Sequence, residues 1–282
     1  MIFGPLPKHL PSIHIDNVLV PYVQKGKYLG AFARSTDADI FLATYLAQAR
    51  KSRCAGAQLG SVSDCMGGLP LNHIFLLYKA RVDPLLTFAC EITPDICPPS
   101  LAHLEKVQRQ ILRCRLSLPK SSSLAPLFSE TGIWPINFRR LSLCLRYLIF
   151  LCRLAPEQLA AAAYDDSCML FQSRMPCWLS DVYAVTELLV PSLLPFVRGE
   201  VELESQDIQA FVEHAVSLHL TDTIQSSAKL GLVRSLRWRA VNGALGPPRD
   251  LFVPSLQPYL LIPLWRTVLV NNRTGKKWSV QW

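Results

Sequence analysis

Residues 100–118, SLAHLEKVQRQILRCRLSL, decide the fold class. Leu101, Leu104, Val107, Gln108, Ile111 and Leu112 cluster on one side when the chain turns about 100° per residue, so the segment reads as an amphipathic helix with one face toward a core. Its other side is basic: Lys106, Arg109 and Arg113 fall within about 60° of one another by the same arithmetic. Pro98 and Pro99 open the helix, where a missing N–H leaves no hydrogen bond unmade.

Outward from this helix, proline-free stretches alternate with Pro and Gly punctuation. Helices are expected over 37–62, with Thr36 or Asp37 as the cap, over 70–88, where Pro84 kinks or ends the helix, and over 135–154. Gly132 marks the stop before the last of these, Pro135 its first position, and Phe138, Leu141, Leu145 and Leu148 its buried side. Further helices are expected over 157–171, 178–190 and 205–238, the last broken once near Leu220. Residues 1–32 hold Pro5, Pro7, Pro11 and Pro21, and the residues flanking Lys25-Gly26-Lys27 predict one hairpin there. Beyond Gly243, closely spaced prolines prevent long regular elements. The expected fold is mainly α with a small N-terminal β-hairpin, in four stretches: 1–32, 33–153, 154–240 and 241–282. At 282 residues the chain is near the size at which one core stops growing, so two loosely joined pieces are expected.

The formal net charge of +8 conceals an alternation. Residues 1–153 carry 18 Lys and Arg against 9 Asp and Glu, residues 154–228 carry 2 against 11, and residues 229–282 carry 9 against 1, giving +9, −9 and +8. A basic block suits a surface that tracks phosphates, whereas the acidic middle repels nucleic acid and can face a basic segment instead. A solvated face is the plainer reading of the same runs. Nine cysteines, an odd set with no C-x-x-C pair, do not form a disulfide framework and point to a reducing, intracellular compartment. The most apolar stretch, 141–154, falls short of the roughly 18–20 residues of a bilayer span and is interrupted by Arg146 and Arg153, so no membrane partner is expected.

Catalytic patterns are missing. Asp165-Asp166 has the look of a paired metal-binding carboxylate motif, but the aromatic such a motif needs is displaced and the alanines before it predict helix. His73 has no nucleophile beside it in sequence, and Glu91 and Asp95, which flank Cys90 and Cys97, read as a loop between helices. Neither a metal nor a cofactor is expected.

An ordered series of short blocks says more. Met1-Ile2-Phe3-Gly4-Pro5 and Lys27-Tyr28-Leu29-Gly30 are followed by Leu77-Tyr78-Lys79-Ala80-Arg81-Val82-Asp83-Pro84-Leu85-Leu86 and then Leu104-Glu105-Lys106-Val107-Gln108. Leu127-Phe128-Ser129-Glu130-Thr131-Gly132-Ile133, Arg139-Arg140-Leu141 and Leu145-Arg146-Tyr147-Leu148 continue it, with Ile224-Gln225-Ser226-Ser227-Ala228-Lys229 as a late echo. The series resembles the reverse transcriptases of non-LTR (LINE-like) retrotransposons of the fungal type, over most of residues 1–240. Its specificity lies in the order of the blocks, each of which is weak alone.

The resemblance implies that Tyr28, Leu29 and Gly30 lie near a primer-gripping hairpin in a remnant of the palm domain, and that the helices after them form a thumb and its C-terminal extension. It places the catalytic aspartates before Met1. It therefore implies a non-catalytic fragment whose inherited partner is an RNA/DNA primer–template duplex, with Lys106, Arg109, Arg113, Arg139 and Arg140 as phosphate contacts. Reversing the three charges of the 100–118 helix is expected to weaken such binding and leave the fold intact. The rival reading is a helical interaction module in which exposed Trp134, Trp178 and the C-terminal tryptophans dock a protein partner.

Overall fold

The computed structural model describes residues 12–227 and 230. Strand structure comes first, in two hairpins. β1 (His14–Ile15) pairs with β2 (Val18–Leu19) through Asp16 and Asn17, at φ 50° and 62°. β3 (Lys25–Tyr28) pairs with β4 (Ala31–Arg34) through Leu29 and Gly30, at φ 46° and 91°. Two consecutive residues at positive φ match the right-handed twist of the strands they join, which fixes both turns. The single hairpin expected from sequence is thus two, and Lys25-Gly26-Lys27 lies inside β3 rather than at a turn.

Helices follow, so the chain is mainly α. α1 (Leu42–Cys65) starts four residues later than the cap at Asp37 predicts, with Phe41 at the cap position. The reason is local: Asp39 accepts the Phe41 N–H at 2.9 Å and Arg34 donates its N–H to Ile40, so residues 36–41 wrap back onto β4. α2 (Leu71–Arg81) and α3 (Asp83–Leu86) divide the expected 70–88 helix at Val82, with Pro84 in the first turn of the second piece. α4 (Pro98–Arg115) is the helix read from the opening stretch. Its end is locked by Ser117 at φ 52°, with Leu118 N–H donating to Arg113 and Ser117 N–H to Cys114.

α1 packs against α4 through small residues. Ala49, Ser52, Gly56 and Gly60 lie on its buried face, and a β-carbon at Gly56 would meet Ile111 Cδ1 and Cγ1 at 2.6 Å. Ile111 is itself buried, so the two helices would have to separate. At Gly60 the added carbon would meet only the guanidinium end of Arg115, at 2.7 Å. We expect Gly56→Leu to cost about 1–3 kcal/mol through overpacking, and Gly60→Ala to be neutral or to gain up to about 1 kcal/mol from helix propensity. Urea melts of both variants check this; equal losses would contradict it.

α5 (Ala125–Thr131) ends at Gly132, φ 63°, and α6 (Ile136–Cys152) follows with Pro135 just outside it. Phe138, Leu141, Leu145 and Leu148 are each at most 3% exposed, as their spacing predicts. α6 touches α4 on one side and α7 (Leu159–Gln172), α8 (Trp178–Leu189) and α10 (Ser205–Ser226) on others, with α9 (Leu194–Val197) against α8. α10 is unbroken at Leu220, contrary to expectation, because Ile208, Val212, Val216, Leu220 and Ile224 keep a four-residue repeat on the buried side. One hydrophobic core runs from Tyr45 to Leu230, so the +9 and −9 stretches share it rather than forming separate cores. The 241–282 stretch, the 1–5 block and the expected helix beyond Ser227 lie outside the described residues, apart from Leu230.

Candidate nucleic-acid interface

Of the five cations assigned to phosphate contact, Lys106 alone is exposed. Arg109 pairs with Glu105 one turn earlier on α4, at 3.4 Å, and borders a cavity of about 190 Å³ shared with His219 of α10. Arg113 donates from Nη2 to the Ser122 carbonyl at 2.6 Å, and its Nε is buried with no partner among the described residues. Burial and the neighbouring Arg109 lower the Arg113 pKa. Arg139 donates to Asp83 at 3.2 Å. The stripe on α4 is real as a helix face, but two of its three members are tied to their own domain.

Arg140 is a correction. It is 2% exposed, and its Nε meets both Asp95 carboxylate oxygens at 3.0 and 2.8 Å. Nη1 donates to the Leu86 carbonyl at 3.0 Å and Nη2 to the Thr93 hydroxyl at 3.2 Å. Tyr45 donates to Asp95 at 2.5 Å, and its ring lies 5.1 Å below the guanidinium. Burial works most strongly against the cation, but Asp95, Tyr45 and Cys90 together outweigh it and raise the Arg140 pKa; burial raises the Tyr45 pKa as well. The group is a structural tie that fastens the 86–95 loop to α1 and α6. It is not a phosphate contact.

A close set of cations without carboxylate partners lies on the second hairpin. Cross-strand partners share a face, so the register Lys25↔Arg34 and Lys27↔Phe32 puts three cations and one aromatic ring on one side. Both lysine ammonium groups sit 5.5 Å from the Phe32 ring centre. Ala31, on the opposite face, is buried. Among the described residues, Lys25, Lys27 and Arg34 have no carboxylate within ion-pair distance.

The hairpin is fixed to the helices at two points. The Thr44 hydroxyl of α1 accepts the Phe32 N–H at 2.7 Å and donates to the Phe32 carbonyl at 2.8 Å. At the tip, a β-carbon on Gly30 would stand 3.1 Å from Phe88, whose ring also carries Lys51 at 6.0 Å. Gly30 therefore answers both to its positive φ and to this close approach. Leu29 beside it is 82% exposed. Tyr28, Leu29 and Gly30 thus form the turn end of a basic hairpin. Lys25, Lys27 and Arg34 went unread as a set, although K-G-K-Y and A-F-A-R around a two-residue spacer carry the alternation that would have revealed them.

Other candidates resolve simply. Asp165 and Asp166 are exposed successive residues of α7, so they point in different directions and form no paired site. Among the described residues no group of three or more His, Cys, Asp or Glu side chains is placed to hold a metal ion, and no helix is long and apolar enough to cross a membrane. His73 is exposed. Trp134 and Trp178 are half-buried against the core, and Trp178 donates to the Glu91 carbonyl at 3.0 Å, so neither is the exposed anchor the interaction-module reading requires. Compared with known protein families, with curated proteins and with solved structures, the chain finds no match.

Proposed function

We propose that this chain is a non-catalytic, thumb-like fragment of a retrotransposon reverse transcriptase, and that it holds the sugar-phosphate backbone of a primer–template duplex. The ordered peptide blocks support the ancestry. The observation that carries the binding role is the un-neutralised hairpin face of Lys25, Lys27 and Arg34 around Phe32. Like charges directly opposite across strands destabilise a hairpin, and cation–π contacts of roughly 0.5–1 kcal/mol each offset only part of that. A polyanion removes the repulsion. Backbone contact of this kind positions a duplex without reading its sequence, and the rigid tie through Thr44 keeps the charges in place.

Lysine acetylation, mapped by mass spectrometry with and without a 20-base-pair RNA/DNA duplex, tests the location. Lys25 and Lys27 are expected to be protected, while Lys79 and Lys120, exposed elsewhere on the surface, keep their reactivity. Protection centred on Lys106 would return the site to α4. No protection anywhere would favour the interaction module.

A further inference from the structure

Residues 154–228 contain eleven carboxylates and only two cations, Arg174 and Arg198. Both border one open cleft of about 710 Å³, between the end of α7, the turn after it and α8. Its floor is apolar: Phe171 and Tyr183 lie with ring centres 5.6 Å apart, and Met175 and Pro176 line the same space. Arg198 donates to the Tyr183 hydroxyl at 2.7 Å and lies over its ring at 5.4 Å, leaving a looser 3.7 Å contact to Glu200. Arg174 has no ion-pair partner among the described residues.

Arg174 also stands where its side chain carries a cost. It closes α7 at φ 56°, with Arg174 N–H donating to Phe171 and Met175 N–H to Leu170. Glycine is the usual occupant of this position, because a β-carbon there is strained by roughly 1 kcal/mol or more. A guanidinium in that place, bordering the same apolar cleft as a second one, is complementary to a single anionic head on an apolar body. The net charge of −9 over residues 154–228 disfavours a polyanion. A cleft of several hundred cubic ångströms is of the size that small organic ligands occupy.

We propose that this cleft binds an amphipathic monocarboxylate, its aliphatic or aromatic body on Phe171, Met175, Pro176 and Tyr183 and its carboxylate between Arg174 and Arg198, displacing Glu200. The site is independent of the hairpin face. The test is calorimetric titration of the full chain with 2-naphthylacetate and with its neutral analogue 2-naphthaleneethanol. Arg174→Gly suits the left-handed backbone, so it removes the cation while keeping the turn. It is expected to weaken 2-naphthylacetate roughly 10- to 100-fold, the range of a lost charge-assisted hydrogen bond, and to leave the alcohol unchanged. Glu200→Gln is expected to tighten the carboxylate by removing its competitor. Equal affinity of the wild type for acid and alcohol, an unchanged affinity in Arg174→Gly, or no heat at millimolar ligand would each overturn the proposal.

Discussion

Exchanging Arg140 for methionine is expected to remove about 3–5 kcal/mol of folding free energy, a large part of the roughly 5–15 kcal/mol that holds a domain together. The loss comes less from the missing attraction than from what stays behind. Asp95, its side chain 4% exposed, would remain as a buried carboxylate with Tyr45 as its chief donor, and the Leu86 carbonyl would lose its contact with Nη1. Removing both charges should therefore cost less than removing one: Arg140→Met with Asp95→Asn is expected to recover much of the loss. Urea unfolding of the two variants gives the answer. A single-variant loss below about 1 kcal/mol would mean that water reaches the pair and that the loop is held by other contacts.

The second large effect is on binding. Lys25→Glu, Lys27→Glu and Arg34→Glu together should leave the fold intact, since Lys25 and Lys27 are exposed, Arg34 is half-buried without a carboxylate partner, and surface substitutions usually shift stability by no more than about 0.5 kcal/mol each. Hydrogen bonds to charged groups are worth roughly 1.5–3 kcal/mol, so losing three should weaken duplex binding by about a thousand-fold or more. Lys106→Glu, on α4, should change it little. The three-residue reversal on α4 is a different experiment from the one its helical wheel suggests. Arg113→Glu would break the 2.6 Å bond to the Ser122 carbonyl and place a carboxylate in a half-buried position, so its main effect falls on stability. Fluorescence anisotropy with a labelled duplex separates the two faces, and equal losses from both would mean that the hairpin has no special role.

Helices were legible because apolar side chains 3.6 residues apart are imposed by the core they meet. Val107 and Leu145 at 0% exposure, and Leu104, Leu112 and Leu148 at 1%, sit where their spacing puts them. The boundaries that failed did so where side chains or loops intervened, as Asp39 does before α1. A helical wheel also cannot say what lies beside a polar face. Lys106, Arg109 and Arg113 share such a face, yet Glu105 and the 119–122 loop take two of them. Arg140 was illegible for the same reason. Its partner Asp95 is 45 residues away in sequence, and nothing local distinguishes a buried arginine from its half-buried neighbour Arg139. The hairpin set is readable in principle, but the residues flanking Gly26 point to the wrong place for the turn, and Leu29-Gly30 supplies the two left-handed positions.

Salt dependence tests the central claim most directly. Each phosphate neutralised releases condensed counterions, so the logarithm of the binding constant falls against the logarithm of salt with a slope of about −0.9 per contact for a DNA duplex. With Lys25, Lys27 and Arg34 engaged, the slope for a 20-base-pair duplex should reach about −2.7 or steeper, and it should be the same for unrelated sequences. The triple alanine variant should lie about 2.7 closer to zero. A wild-type slope near zero, or one unchanged when the three hairpin cations are removed, would contradict the account.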